Sequence, residues 1–189
     1  YSDSFYDDVA AFGAHRTVPA LRTPEGGMLT DSLAIAWHVA DGFKARGVLP
    51  DGAVERAEAM RLIAEMHTGF TALRGACPMN LRTAWAEFAA ADAVLADVAR
   101  IEQIWTRALD RSGGPFLYGG FTLVDAFYAP VVTRLLTYDL PMSDATRAYA
   151  QAVTTPPAFL SWRAKGLAED AELPHYDKAP LARVPFPTF

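Results

Sequence analysis

Cysteine is almost absent from this chain. Cys77 stands alone among 189 residues, so no intrachain disulfide can form, and an oxidising compartment is neither needed nor implied. Positive charge is scarce as well. With 17 Lys+Arg against 22 Asp+Glu, a net charge of −5 and no basic run, there is no electrostatic footprint for nucleic acid or an anionic membrane surface. Neither is expected as a partner. No apolar run approaches the ~20 residues of a membrane span, and the opening YSDSFYDDVA is acidic where a secretion signal is basic and then apolar. A cytoplasmic location is expected. Several enzyme signatures are also missing: there is no glycine-rich phosphate loop, no His-x-x-x-His, no Cys-x-x-Cys and no Gly-x-Ser-x-Gly. None of the four histidines, His15, His38, His67 and His175, has a second ligand at metal spacing. A metal centre is therefore not expected.

What remains is an ordinary globular composition. At 51% hydrophobic the chain can bury a full core, and its length fits one domain or one and a half. The spacing of Phe5, Val9 and Phe12 predicts a short helix over 3–12. Val18 to Leu21 reads as a short strand, with Met28 to Leu29 as its hairpin partner across the turn formers of Thr23-Pro24-Glu25-Gly26-Gly27. Two strands alone are marginal. From Asp31 a helical pattern begins and ends near Gly42 or Gly47. A long helix then runs from Asp51 to about Ala76, with Met60, Ile63, Met66, His67, Phe70 and Leu73 on its inward face, and Cys77-Pro78 stops it. A further long helix spans about 91–111 and ends at Gly113-Gly114-Pro115.

Thr122 and Asp125 have the spacing of a capping box at the head of the next helix. That helix is apolar almost all round, which marks it as buried, and Pro130 inside it predicts a kink or a helix sealed by its neighbours. Two short helices follow, around 143–153 and 156–167. The proline-rich tail has no period and reads as a surface strap or a disordered end. The resulting organisation is a small β-bearing part over residues 1–46, an all-α part over 51–170 and a tail over 171–189.

Few residues carry chemistry. Cys77 sits before a proline with only Arg74 as a basic neighbour, and is read as a buried, idle thiol. His67, Phe70 and Arg74 share a helix face that can line a cleft. Arg74 and Arg82, around Pro78-Met79-Asn80, can bind an anionic substrate group or pair between domains, and spacing leaves both readings open. Pro19 removes a ladder hydrogen bond, so it belongs on a sheet edge or in a cis bond, where Val18 would present its backbone to an extended ligand. Asp31 and Ser32 stand at a helix N-terminus, whose free N–H groups favour a carboxylate, while Asp31 can hold an ammonium. A zwitterionic amino-acid end fits such a pair, and so does simple helix capping by Thr30 or Asp31.

The order VPAL, turn, TDSLAI and later GGPFLYGGFTLVDAFYAP resembles the glutathione transferase superfamily. The stretch EMHTGFTALRGACPMNLR, with the capped FTLVDAFYAPVVTR after it, is similar to a bacterial group of these proteins. The resemblance implies an α+β, mainly α fold: a partial thioredoxin-like domain (strand, strand, helix) followed by an all-α bundle. It implies that Val18 beside a cis Pro19 binds the cysteinyl backbone of glutathione and that Asp31 and Ser32 hold its γ-glutamyl end. Thr122 and Asp125 become structural, and His67, Phe70 and Arg74 face the site of an electrophilic co-substrate. Homodimerisation is the superfamily's habit. In that superfamily a strand, helix and strand ahead of the Val-Pro region carry the Ser, Tyr or Cys that activates the thiol. Tyr1, Ser2 and Ser4 do not match that element, so the catalytic residue stays unassigned, and the chain is expected to be a fragment or a truncated member. The implied activity is glutathione conjugation to an electrophile; the alternative is a non-catalytic module for binding or assembly.

Overall fold

The computed structural model describes residues 4–10, 18–42, 47–169 and 176–189. Phe12, His15 and His175 lie outside them. Helix α1, Phe5–Ala10, falls within the predicted first helix. Strands β1, Ala20–Arg22, and β2, Met28–Thr30, pair antiparallel, with Ala20 opposite Thr30 and Arg22 opposite Met28. The ladder begins after Pro19, which has no N–H to donate. The turn closes through Thr23 N–H to Gly27 O at 2.8 Å and Gly26 N–H to Thr23 O at 3.0 Å. Gly26 sits at φ +86°, a conformation glycine adopts without penalty. Helix α2, Ser32–Gly42, follows directly.

The helical part begins with α3, Ala53–Thr68, and α4, Thr71–Ala76. The single helix expected through Ala76 is thus two. At Gly69 a Cβ would stand 2.6 Å from the Glu65 carbonyl, so the chain can fold back there only as glycine. Phe70 then takes φ +54° and starts α4 without a capping side chain of its own. The cap comes from Asp97, whose Oδ2 accepts the Leu73 N–H at 2.9 Å. Asp97 belongs to α5, Asp92–Ser112, which ends on Gly113 in the left-handed region, φ +76°.

Helix α6, Leu123–Thr137, packs against α3 and against α7, Asp144–Thr154. Around it Trp105, Tyr128 and Tyr149 are fully buried, with Trp105 edge-on to Tyr128 at 5.7 Å and to Tyr149 at 4.8 Å. Beside Pro130 the Thr133 hydroxyl and the Arg134 guanidinium both donate to the Pro130 carbonyl, at 2.9 and 2.8 Å. Those bonds hold the turn after the proline. Helix α8, Pro157–Ala168, opens on a proline, as its sequence predicts.

The C-terminal tail contains a strand that periodicity does not reveal. β4, Arg183–Pro185, pairs antiparallel with β3, Thr83–Trp85, a strand also absent from the sequence reading. Phe186 is buried behind it, with the Arg163 guanidinium 4.5 Å from its ring centre. Of the two readings of the tail, the described residues 176–189 follow the strap.

Candidate functional site

The hairpin register assembles the first group of residues. Ala20 faces Thr30, so Val18-Pro19 and Asp31-Ser32 leave the ladder at the same end of the hairpin. The Val18–Pro19 peptide is cis. Val18 is 51% exposed and precedes the ladder. Asp31 occupies φ +74°, a region that aspartate tolerates better than most residues. Its carboxylate has two tasks: Oδ1 accepts the Leu33 N–H at 2.8 Å and caps α2, while Oδ2 lies 3.3 Å from His67 Nε2. Capping and a second polar contact thus coexist. The Ser32 hydroxyl has no partner among the described residues and stands in the first turn of α2, where the helix dipole favours an anion.

His67 lies in the last turn of α3 and is the point at which the helical part meets Asp31. Its backbone carbonyl accepts from Arg74 Nη1 at 2.7 Å. Asp31, His67 and Arg74 are therefore joined by contacts next to Ser32. Phe70 does not join them. It is 6% exposed and belongs to the core, in keeping with its place on the inward face of the helical pattern, so the expectation from resemblance that it faces a substrate is corrected. Arg74 and Arg82 also diverge: Arg82 reaches Leu167 O on α8 at 3.4 Å. Cys77 is buried, and burial pushes its thiol up to about 11.

Thr122 and Asp125 lie elsewhere, inside the bundle. They form the capping box of α6, with the Thr122 N–H at 2.8 Å and hydroxyl at 3.0 Å from Asp125 Oδ2. Two long-range donors complete the carboxylate: the Leu117 N–H and the Tyr149 hydroxyl, both 3.1 Å from Oδ1. Burial raises the Asp125 carboxyl, and these four hydrogen bonds oppose it. On the outer face of α3 and α5, Glu65 takes Arg61 at 2.7 Å and both arms of Arg100 at 2.7 and 3.2 Å. The bond from Arg100, first, holds Glu65 below the usual carboxylate range.

Solved structures share this fold. A glutathione S-transferase from Rhodospirillum rubrum F11 superposes with a TM-score of 0.64 over 91% of this chain and 82% of its own, at 21% identity. This chain has a glutathione-transferase-like fold. A glutathione transferase from Methylococcus capsulatus matches at TM-score 0.63, with 21% identity over 85% of this chain and 79% of that one. A Burkholderia glutathione transferase homolog, solved with bound glutathione, matches at TM-score 0.62 and 21% identity, over 81% of this chain and 75% of that one. No family model and no curated protein matches the chain. The Asp31–His67 contact and the Tyr149 donor to Asp125 were invisible in sequence because each joins segments brought together only by packing.

Proposed function

We propose that this chain binds glutathione and acts as a glutathione transferase toward an electrophilic small molecule. One observation carries the reading: a cis Val18–Pro19 peptide leads into β1, and an unpartnered Ser32 hydroxyl at a helix N-terminus follows β2 at the same end of the hairpin. The Val18 backbone pairs with the cysteinyl residue, the Ser32 hydroxyl donates to the γ-glutamyl carboxylate, and Asp31 Oδ2 receives the ammonium. In the transfer the thiolate sulfur bonds to the electrophilic carbon, the leaving group departs with its electron pair, and the thiol proton passes to solvent. No residue of this chain is assigned to thiol activation. Holding both reactants supplies proximity and orientation, with His67 and Arg74 on the side of the electrophile. The residue division at 46, 51 and 170 then separates a glutathione-binding part from the bundle, and the outer faces of α3 and α5 are the surface for a second copy in a cytoplasmic homodimer. The same chemistry fits a role in detoxification.

The test is conjugation of glutathione to chlorodinitrobenzene, followed by absorbance. Turnover that falls at least about tenfold in Ser32→Ala, through a raised KM for glutathione, is the expected result. Retention on immobilised glutathione with no turnover would replace the transferase by a binding module.

A further inference from the structure

The groove between α3 and α5 gathers four guanidinium groups in one cavity. Arg61 comes from α3, and Arg100, Arg107 and Arg111 come from α5; all four line it together with Glu58 and Gln103. Positions 58, 61 and 65 share one stripe of α3, and 100, 103, 107 and 111 share one stripe of α5, at the three- and four-residue steps of a helix face. The two ends of the groove carry ion pairs. At one end Glu65 accepts Arg100 at 2.7 and 3.2 Å and Arg61 at 2.7 Å, and at the other Glu58 accepts Arg111. Between them stand Arg61, Gln103 and Arg107, and among the described residues the Arg107 side chain makes no hydrogen bond or ion pair. Glu102 and Asp110 edge the neighbouring surface of α5 and not this groove, and Glu102 is engaged by Ser143 and Thr146. Four guanidinium groups against Glu58 and Glu65 leave two positive charges in excess, on a chain whose net charge is −5. Arg107 and Arg111 also stand four residues apart on α5, a like-charge spacing that destabilises a helix surface unless something offsets it.

We propose that the groove between α3 and α5 is a binding site for a doubly charged phosphate group, carried as the free ion or as a phosphate monoester. Guanidinium forks match the paired oxygens of a phosphate, and charge-assisted bonds of this kind are the strong ones. Gln103 adds an uncharged donor. Leu62 and Ile104, both buried, give the ion an apolar wall, against which charges interact more strongly than in bulk water. The site shares no residue with the proposed glutathione site and does not rest on the transferase reading. Two copies paired through this face would bring like-charged grooves together, and a doubly charged anion in each removes that repulsion.

The experiment is calorimetric titration of the whole chain with inorganic phosphate and, separately, with glycerol phosphate, in dilute chloride buffer at a pH above the second phosphate pKa. Saturable binding with Kd below about 1 mM is expected for at least one of them. Arg107→Gln, at an exposed position, is expected to weaken it at least about tenfold. Arg147→Gln removes the same charge from an exposed position on α7, outside the groove, and is expected to leave the affinity within about twofold. Thermal midpoints of the same samples show that each protein is folded, and saturating phosphate should raise the midpoint of the parent more than that of Arg107→Gln. Tighter binding of inorganic phosphate assigns the site to the free ion and tighter binding of glycerol phosphate to a monoester, and either supports it. No saturable binding of either by the folded parent, or equal weakening in the two variants, would overturn it.

Discussion

Residues 18–42 and residues 53–168 are held by opposite means. In the helical part the carboxylates that cap helices are tied to distant segments. Asp125 takes four donors, and Asp97 reaches from α5 to cap α4. In the β-bearing part the groups that matter are left over: the Ser32 hydroxyl has no partner among the described residues and Val18 is 51% exposed. A buried polar group without its partner costs stability, whereas an exposed one is available to a ligand. Under the proposed function stability and binding are carried by different regions, and substitutions should separate them.

The largest effect is expected from Asp125→Ala. It strands two N–H groups and the buried hydroxyls of Thr122 and Tyr149, for about 4 kcal/mol of lost stability. With ~2–4 °C lost per kcal/mol in a chain of this size, the thermal midpoint followed by circular dichroism should fall by about 10 °C. Phe186→Ala comes next, at about 3 kcal/mol, because the tail is docked by a buried ring. Hydrogen exchange at the Ala86 amide, which donates to Ala182 O at 3.0 Å, should speed up with it. Slow exchange in that variant would mean that β3 and β4 hold the strap without the ring.

A third effect is set by pH. Burial raises the Cys77 thiol to about 11 and the Tyr138 phenol to about 12. Above pH ~9 the unfolded chain begins to release a thiol proton that the folded chain keeps, so stability falls as pH rises toward 11, by at most about 1.4 kcal/mol per pH unit from this group. Urea unfolding from pH 8 to 11 should show that fall reduced in Cys77→Ala. Asp97→Ala should cost about 1 kcal/mol, the value of one helix cap, seen as a lower urea midpoint with an unchanged slope. Smallest of all is Ser32→Ala, within about 0.5 kcal/mol of the parent in the same unfolding experiment.

Legibility in the sequence followed the range of the interaction. The α6 capping box, the hairpin turn and the buried character of α6 were readable because each is local: three residues for the box, five for the turn, a helical period for the burial. The break at Gly69 was not, since its cause is contact of a would-be Cβ with the Glu65 carbonyl, and the apolar spacing runs straight through it. The inward place of Phe70 was readable from that spacing, and only the substrate-facing role implied by resemblance was misplaced. β3 and β4 escaped because each has only three residues and its partner lies far along the chain. At the candidate site, Val18, Pro19, Asp31 and Ser32 were found as motifs, while the Asp31–His67 contact exists only after α2 and α3 pack.

The central claim is that the β-bearing part supplies a glutathione site independent of the bundle's stability. Calorimetric titration of glutathione into the parent chain and into Ser32→Ala, with thermal midpoints measured on the same samples, tests it most directly. The account predicts saturable binding by the parent, weakened at least about tenfold in Ser32→Ala, with the two midpoints within about 2 °C. No binding by the folded parent, or equal affinity in the two proteins, would contradict it.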